Sequence, residues 1–489
     1  MIGIILPDKK HEYGVVNLIK VFFPKKEVKV VLAEDEVEIT IKLLVDNELC
    51  SGYIFESGIK KVEIFNKNDM KQYNLMDENS SDYICVKYTL FKLLEKYTGK
   101  QIEWGILTGI RPTKIVSKFY KKGLTSYEIK KILKNNYGIA ENKIDLMLSI
   151  AKIEKQVLSS DKENDISIYI GIPFCPTKCL YCSFTSYSIE KYEDYVDMYL
   201  EALEKEIIYV GSKVKNNRVR SIYIGGGTPT SINEMQIERL MKAINKNIDM
   251  KKLEEFTVEA GRPDTITTQK LVILKKYNVS RISINPQTMN QNTLDLIGRK
   301  HSIEEVKDKY KMAREIGFDN INMDLIVGLP GEKLKDVQNT MYEIKKLRPE
   351  SITVHTMAIK RASRLKIEED KYKYVSDTEI KEMIELAYTE AKEIGLSPYY
   401  MYRQKNMVGS FENVGYALPG KESIYNIEII EENQSIIAIG AGAITKLFYK
   451  GENKLERIEN VKDVKQYVER IDEMINRKKV MLDKELLNE

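Results

Sequence analysis

Apolar and polar positions follow two alternating patterns over residues 166–359. Short apolar runs bounded by turn residues predict β-strands, and stretches with apolar residues three or four positions apart predict the α-helices between them. The predicted strands are 166–170, 221–224, 256–259, 281–285, 321–327 and 351–355. The predicted helices are 192–209, 233–243, 303–316 and 334–347. Repeated βα units of this length indicate an α/β fold with a parallel sheet or barrel.

The residues on either side of this region have different patterns. Before it, β-rich runs are predicted at 15–23, 27–32, 36–44 and 52–55, and helices at 83–97, 111–122, 126–136 and 142–159. After it come a helix at 377–394, a Gly- and Tyr-rich region at 397–446 and a charged helix at 461–479. We predict an N-terminal α+β domain at 1–160, a core barrel at 161–360 and a mostly helical C-terminal domain at 361–489.

Length and composition exclude several classes of protein. The 489 residues, 43% of them hydrophobic, are enough for two or three cores. The 77 Lys and Arg residues nearly balance the 73 Asp and Glu residues, so no basic excess indicates a nucleic-acid partner. No apolar run approaches the length of a membrane span. Residues 1–6 meet charged positions too early for a signal peptide, and the low cysteine content predicts a reducing, oxygen-poor cytoplasm.

Three cysteines follow the first predicted barrel strand directly. Cys175, Cys179 and Cys182 have the spacing C-x3-C-x2-C. Thiolates are soft ligands that suit an iron–sulfur cluster. Three of them would leave one iron of a four-iron cluster open to a further ligand, as catalytic zinc sites keep one position open. The spacing therefore predicts a cluster that takes part in chemistry.

Other interpretations of these cysteines explain less. Structural zinc needs a fourth ligand, and the chain's three histidines, at positions 11, 301 and 355, are far from the loop in sequence. A disulfide would leave an odd cysteine in the loop, and inert core packing does not explain three cysteines within eight positions. Cys50 and Cys85 have no such neighbours, and we predict that they are small buried hydrophobic residues.

The cysteine loop resembles the cluster loop of radical S-adenosylmethionine (radical SAM) enzymes. In that family the open iron of a 4Fe–4S cluster binds SAM, and an electron passed into the sulfonium yields a 5′-deoxyadenosyl radical. The resemblance implies a partial (β/α)6 barrel for the six βα units. A glycine run at 225–227 ends the second predicted strand. By itself it indicates a tight turn, but after this loop it resembles the family's SAM-amino-group site.

Residues 166–358 and 438–445 are similar to one branch, the oxygen-independent coproporphyrinogen III oxidases. The resemblance implies that Tyr169, Tyr181 and Glu259 take part in catalysis, and that the C-terminal domain completes the active site. The positions matching the cluster-bound SAM are Tyr169, Gly226, Glu259 and Ile444. The positions matching a second SAM are Tyr181, Gly227, Thr228, Gln287, Arg299, Asp324 and Ala358.

Asp324 is also unusual in its own right. It lies within a predicted strand beside Leu325 and Ile326. Burying a carboxylate there is costly unless it has a partner or a ligand. This cost makes Asp324 a candidate functional residue, although a structural ion pair would satisfy the same requirement.

The L-T-G-I-R-P-T motif at 107–113 and residues 402–406 resemble the HemZ-type subgroup of this family. The resemblance implies oxidative decarboxylation of two propionates of coproporphyrinogen III to vinyl groups, in haem biosynthesis. It also implies a tetrapyrrole substrate and an electron donor such as flavodoxin or ferredoxin. Arg403 and Lys405 are candidate clamps for the substrate carboxylates, although exposed solvated charges explain them equally simply.

Two alternatives stay open. Phe184 stands where the oxidase proper has a fourth cysteine, and haem chaperones of the HemW type share a phenylalanine there. The alternatives to the dehydrogenase are a haem-binding chaperone without dehydrogenase activity and a radical SAM enzyme that acts on another tetrapyrrole. Against the chaperone, the chain ends soon after Lys479, without that protein's extra C-terminal domain.

Overall fold

The computed structural model describes residues 1–31, 37–56, 59–67, 78–162, 164–358, 363–367, 371–372, 374–403, 411–452 and 454–486. The chain divides into two compact units. The first contains Met1–Lys152 and Arg403–Ser410, and the second contains Ile153–Tyr402 and Phe411–Glu489. None of the helices in the described part of the chain combines the length and the apolar character that a bilayer crossing requires.

A five-stranded sheet forms the first unit. Its strands are β1 (Ile2–Ile5), β2 (Val28–Val30), β3 (Ile39–Val45), β4 (Leu49–Glu56) and β5 (Ile59–Asn66). Their order is β2-β1-β3-β4-β5, with β1 parallel to β2 and β3 and with β3, β4 and β5 antiparallel. The helices of this region are α1 (Glu12–Phe22), α2 (Glu78–Thr98), α3 (Thr113–Lys121), α4 (Ser126–Tyr137) and α5 (Glu141–Leu158).

Helix α1 corrects the β-strand predicted at 15–23. Its buried residues Val15, Leu18, Ile19 and Phe22 recur three or four positions apart, which is the spacing of one helix face. The run is rich in β-branched residues, which favours a strand, but its period is helical. Helices α2 to α5 confirm the four helices predicted in this region, whereas β1 and β5 were not predicted.

Cys50 on β4 and Cys85 on α2 form a disulfide, with Cα atoms 6.3 Å apart. Both residues are buried, as predicted. The sequence interpretation did not include the disulfide between them. Helix α2 packs on β4 and brings together two positions that are 35 residues apart in sequence, and nothing in the sequence pattern indicates that contact.

The second unit contains the remaining elements. Its strands are β6 (Asp165–Ile172), β7 (Phe174–Cys175), β8 (Tyr187–Ser188), β9 (Arg218–Gly226), β10 (Glu255–Gly261), β11 (Arg281–Ile284), β12 (Ile321–Val327), β13 (Ser351–Thr356), β14 (Ser397–Arg403), β15 (Glu412–Ala417), β16 (Ser435–Ile439), β17 (Ile444–Tyr449) and β18 (Lys454–Glu459). Its helices are α6 (Glu193–Lys213), α7 (Glu234–Asn247), α8 (Thr268–Lys276), α9 (Gln291–Leu296), α10 (Ile303–Ile316), α11 (Leu334–Leu347), α12 (Arg364–Ile367), α13 (Asp377–Glu393), α14 (Ile424–Glu431), α15 (Val464–Glu469) and α16 (Ile471–Leu486).

Strands β6, β9, β10, β11, β12 and β13 are parallel neighbours in that order. They confirm the predicted α/β class and partial (β/α)6 barrel. Strand β16 pairs in parallel with β6 at one edge, and β15 pairs antiparallel with β13 at the other. In the described part of the C-terminal region, helical residues outnumber strand residues, and its strands extend both edges of the barrel sheet, which the sequence pattern did not indicate.

Candidate active site

The strands of the barrel separate an apolar face from a polar face. Because side chains alternate along a strand, residues two positions apart share a face, and paired residues on neighbouring strands do so as well. One face carries buried aliphatic residues such as Ile168, Ile222 and Ile282. The strand register brings the following residues to the other face: Tyr169, Tyr223, Glu259, Ser283, Asp324 and His355.

The cysteine loop begins at β7, just after β6. Cys175 and Cys182 are partly exposed and Cys179 is buried, and none of the three forms a disulfide. Parallel α/β barrels place their chemistry at the carboxyl ends of the strands. The loop and the polar face therefore meet where this fold carries reactive groups.

Contacts to the barrel fix the position of the loop. Arg262 donates to the carbonyl and hydroxyl oxygens of Thr177 at 3.2 and 2.7 Å. Asp264 pairs with the same guanidinium and holds it in place. Farther along the loop, the Leu180 amide donates to the Ile297 carbonyl at 2.9 Å. The protein thus orients the cysteine segment with its own groups.

The electrostatic surroundings of the thiols have two parts. Burial raises the pKa of Cys175, and the neighbouring thiols of Cys182 and Cys179 also raise it. Arg299 hydrogen-bonds to Cys179 and Tyr181. Although burial opposes its charge, these groups hold the pKa of the Arg299 guanidinium above its usual value. A permanent cation beside a thiol favours the thiolate, which is the form that binds metals.

The donor set fits an iron–sulfur cluster. Among the described residues, no three His, Cys, Asp or Glu side chains converge on a point where one metal ion would bind. A cluster has a different requirement, because each cysteine ligates a different iron and the sulfurs stand farther apart. Three cysteines on one loop, of which Cys179 lies next to the Arg299 guanidinium, suit that requirement.

The glycine run at the end of β9 allows close packing against the cysteine segment. Gly226 has φ of 111°, a conformation that favours glycine. A Cβ on Gly227 would lie 2.5 Å from the Phe174 carbonyl oxygen. The Thr228 amide donates to that oxygen at 2.7 Å, and the Thr228 hydroxyl lies 3.5 Å from the Cys175 sulfur. The Thr228 amide therefore binds the cysteine segment.

The carboxyl group of Glu259 has a pKa close to neutral pH. The Tyr223 hydroxyl donates to one of its oxygens, and the Gly226 amide donates to the other at 3.3 Å. Burial raises the pKa of Glu259 to about 7, and the negative charge of Asp324 adds to this effect against the hydrogen bond from Tyr223. A carboxyl group in this state can gain its full charge when a cation binds beside it.

Three tyrosines stack beside Glu259. The ring centroids of Tyr169 and Tyr223 are 6.3 Å apart, those of Tyr169 and Tyr425 are 6.2 Å apart, and those of Tyr223 and Tyr425 are 4.4 Å apart. Burial raises the pKa of each phenol, so all three are neutral. The Tyr169 hydroxyl lies 3.2 Å from the position of a Cβ on Gly226. The stack thus forms an aromatic wall that reaches the glycine run.

Asp324 has partners within the chain. The side-chain amides of Asn285 and Asn322 donate to its two oxygens at 2.8 and 2.7 Å. His355 Nε2 lies 3.8 Å from Asp324 Oδ2. Burial works to raise the pKa of Asp324, but His355 and Asn322 hold it below its usual value. The carboxylate in the predicted strand, whose side chain is 24% exposed, is therefore ionised and has polar partners within the chain.

The remaining predicted site residues lie next to Asp324, beside the cysteine loop or at the end of a strand. Gln287 has φ of 68° and bridges to β12, because its amide donates to the Asp324 carbonyl at 2.9 Å. Tyr181 packs against a hydrophobic cluster next to the cysteine loop. Ala358 is buried just after β13, and Ile444 is exposed at the start of β17.

Arg403 belongs to the first unit. Its guanidinium lies 5.0 Å from the centre of the Trp104 ring and donates to the Leu107 carbonyl. Lys405, the other candidate clamp, lies outside the described residues. These contacts hold Arg403 against Trp104 and Leu107 within that unit.

Sequence reasoning missed four residues of the polar face and its surroundings. Tyr223, Tyr425, His355 and Tyr402 were not singled out. The signal for Tyr223 and His355 was the alternation within their strands, since each is two positions from another polar residue on the same face. Tyr425 and Tyr402 come from elements outside the six βα units, so the barrel pattern gave no signal for them.

Residues 169–344 match the model of the radical SAM superfamily, which implies a 4Fe–4S cluster and SAM as cofactors. The oxygen-independent coproporphyrinogen-III oxidase-like protein HemZ of Bacillus subtilis is 44% identical over 436 residues, which are 88% of this chain and 86% of HemZ. The haem chaperone HemW of the same organism is 34% identical, over 63% of this chain and 76% of HemW.

The solved structure of coproporphyrinogen III oxidase (HemN) of Escherichia coli has a similar fold. The TM-score is 0.51 at 24% identity, over 66% of this chain and 73% of HemN. This likeness supports the barrel assignment made from the strand register. The radical SAM match and the identity to HemZ over most of both chains show that the chain belongs to the radical SAM family of HemZ-type, oxygen-independent coproporphyrinogen-III oxidase-like proteins.

Proposed function

We propose that this chain is an oxygen-independent coproporphyrinogen III dehydrogenase, which converts two propionate side chains into vinyl groups in haem biosynthesis. The observation that supports it most is that Cys175 of the three-cysteine loop lies 3.5 Å from the Thr228 hydroxyl, directly after the glycine run whose Gly226 donates to Glu259. The identity to HemZ over most of its length supports the same reaction class.

In this proposal Cys175, Cys179 and Cys182 hold the 4Fe–4S cluster. The cluster and SAM, when bound, would supply a 5′-deoxyadenosyl radical. Glu259 would accept the ammonium or ribose groups of SAM, and binding of a cation would lower its raised pKa and make it a full carboxylate. Tyr169 would exclude water from the bound SAM by covering one side of the site.

The remaining site residues have roles that follow their position. Gly226 and Ile444 are proposed to contact the cluster-bound SAM together with Tyr169 and Glu259. A further set is proposed to surround a second SAM: Tyr181, Gly227, Thr228, Gln287, Arg299, Asp324 and Ala358. The protein would receive electrons from a donor such as flavodoxin or ferredoxin, and it would work in the cytoplasm.

The test is an anaerobic assay of the protein reconstituted with iron and sulfide. With a reductant, SAM and coproporphyrinogen III, it should produce 5′-deoxyadenosine and vinyl product. Single changes Cys175→Ala, Cys179→Ala and Cys182→Ala should abolish SAM cleavage and the EPR signal of the reduced cluster. Cys50→Ala is the matched control, because this cysteine lies in the first unit and should leave both signals in place.

A second candidate is a haem chaperone without turnover. The identity to HemW and the 65% exposure of Phe184, at the position of the oxidase's fourth cysteine, favour it. Stable haem binding without vinyl product in the same assay would support the chaperone. SAM cleavage with consumption of haem would instead support an enzyme that acts on another tetrapyrrole.

A further inference from the structure

His355 lies between a carboxylate and a phenol on the polar face of the barrel. Its Nε2 atom is 3.8 Å from Asp324 Oδ2, and its Nδ1 atom is 3.2 Å from the Tyr402 hydroxyl. The three residues come from three different strands, β12, β13 and β14. Neither His355 nor Tyr402 has a role in the function proposed above.

Neighbouring groups fix both ends of this arrangement. Asn413 on β15 donates to the Tyr402 carbonyl at 3.3 Å and accepts from the Thr356 amide at 2.9 Å. This links β14 to β13 through β15. At the other end, the two asparagine amides described above hold the Asp324 carboxylate. His355 is therefore placed by rigid strands, which is the condition for precise proton transfer.

Three groups from three different strands face the His355 ring. The ionised Asp324 carboxylate on β12 is adjacent to Nε2. Glu259 on β10 also interacts electrostatically with His355. The Tyr402 hydroxyl on β14 lies beside Nδ1. The two ring nitrogens thus face a carboxylate on one side and a hydroxyl group on the other.

A purely structural role fits His355 less well than it fits His301. His301 is fully buried, and burial, helped by the charge of Arg299, lowers its pKa to about 3, so it is a neutral packed ring. The His355 side chain is 26% exposed, and the distance from its Nε2 to Asp324 is longer than a hydrogen bond. The His355 side chain is therefore partly accessible, and its Nε2 atom lies beyond hydrogen-bonding distance of Asp324.

We propose that His355 is the proton acceptor for the leaving carboxyl group, an inference that rests on the proposed dehydrogenase function. In this role Nδ1–H donates to Tyr402, and Nε2 takes the proton. After hydrogen abstraction at the propionate β-carbon, the bond between the α-carbon and the carboxyl carbon breaks. The vinyl double bond forms, carbon dioxide leaves, one electron passes to a one-electron acceptor, and the carboxyl proton moves to Nε2 beside Asp324.

The step needs a base because a carboxyl group removed from water has a raised pKa and tends to keep its proton. Loss of carbon dioxide and an electron from that neutral acid must also release a proton. An imidazole next to an ionised carboxylate can receive it. Asp324 and Tyr402 act through His355, so they are positioning residues in this step.

The variants for the test are His355→Gln, Tyr402→Phe and Tyr416→Phe. Tyr416 is a buried tyrosine on β15 and serves as the matched control for loss of a hydroxyl. In the reconstituted enzyme, His355→Gln should lower kcat for vinyl formation about 10²- to 10⁴-fold, the usual range for an acid–base residue. Cleavage of SAM should change little, so the ratio of 5′-deoxyadenosine to vinyl product should rise.

Two further measurements separate proton transfer from a structural role. The acidic limb of the wild-type pH–rate profile should be absent in His355→Gln, and added imidazole should restore part of the activity of His355→Gly. The cofactor-free protein offers a second readout, because the chain has only three histidines and their NMR signals can be assigned by substitution. Tyr402→Phe should move the ring signals of His355 at a fixed pH and leave those of His11 and His301 in place, because it removes the hydroxyl beside Nδ1.

The outcomes distinguish the two levels of proposal. If the wild-type enzyme forms no vinyl product, the dehydrogenase proposal fails and this inference fails with it. If the wild type forms vinyl product and His355→Gln keeps its rate and pH profile, only the role of His355 is overturned. Loss of activity in Tyr416→Phe equal to that in Tyr402→Phe would also overturn it, because it would show a general effect on packing.

Discussion

Glu206 and Glu259, two carboxylates of the second unit, have opposite electrostatic environments. Glu206 on α6 is fully buried, and it receives the Lys478 ammonium at 2.6 Å, the Gly440 amide at 2.9 Å and the Tyr467 hydroxyl. Glu259 on β10 receives a phenol and one amide at 3.3 Å, and its pKa is raised to about 7.

The difference separates a structural carboxylate from one suited to a ligand. Lys478 is itself fully buried, so the pair with Glu206 is complete within the chain and ties α16 to α6. A buried ion pair of this kind is costly to break because one charge would be left alone. Glu259 is bound by neutral donors and keeps part of its proton at neutral pH, which is typical of groups in functional sites.

The largest expected effect tests the complete pair. Lys478→Met should lower the free energy of unfolding by about 3–5 kcal/mol, because Glu206 would stay buried without its ammonium. Lys479→Met is the control, since that lysine is exposed one position further along the same helix. Urea unfolding followed by circular dichroism measures both. Equal stability of the two variants would show that the Glu206 pair is not compensating a buried charge.

The second largest expected effect is a pH dependence of stability that follows from the raised pKa of Glu259. The pKa of Glu259 is about 7 in the folded chain and 4.5 in its ordinary state, so the folded form binds the proton more tightly. The associated stability is complete below pH 4.5 and is lost as pH rises through 7, by on the order of 2–3 kcal/mol. Glu259→Gln cannot titrate at this position. Between pH 5 and pH 8 its free energy of unfolding should therefore rise by that amount relative to that of the wild type.

Thermal unfolding at pH 5, 6, 7 and 8 checks this expectation. Glu201→Gln, an exposed position on α6, supplies the control and should keep a constant difference from the wild type. A constant difference for Glu259→Gln as well would mean that the folded chain does not raise the pKa of Glu259.

The smallest effect compares the two phenols that donate to the carboxylates. Tyr467→Phe removes a hydrogen bond to the paired Glu206 and should cost about 1.5–3 kcal/mol, the range for bonds to charged groups. Tyr223→Phe removes a bond to a carboxyl that is partly protonated at pH 7 and should cost about 1 kcal/mol or less. Denaturant unfolding of both variants at pH 7 decides the order, and a larger cost for Tyr223→Phe would reverse the comparison.

The barrel could be predicted because its information is local. Each βα unit contains its own apolar run and its own amphipathic stretch, and strands such as β12 match the prediction residue for residue. The cysteine loop was equally local. Helix α1 was not predicted, since the β-branched residues of 15–23 favour a strand while their spacing is helical.

Features that depend on distant contacts were not predicted. Lys478 reads as one of several lysines in a charged helix, and only packing reveals that it meets Glu206 across 272 positions. His355 and Tyr402 are 47 positions apart and come together through strand pairing. The disulfide between Cys50 and Cys85 likewise depends on the docking of α2 on β4. Such contacts are set by the fold and leave no periodic signal along the chain.

The pairing of β6 with β16 has a consequence for biogenesis. The first barrel strand is covered along residues 166–170 by residues 435–439, which the ribosome makes much later. Until then β6 presents an unpaired edge of backbone donors and acceptors, and such edges promote association between nascent chains. Production of this protein should therefore benefit from slow translation at low temperature and from chaperones that shield unfinished sheets.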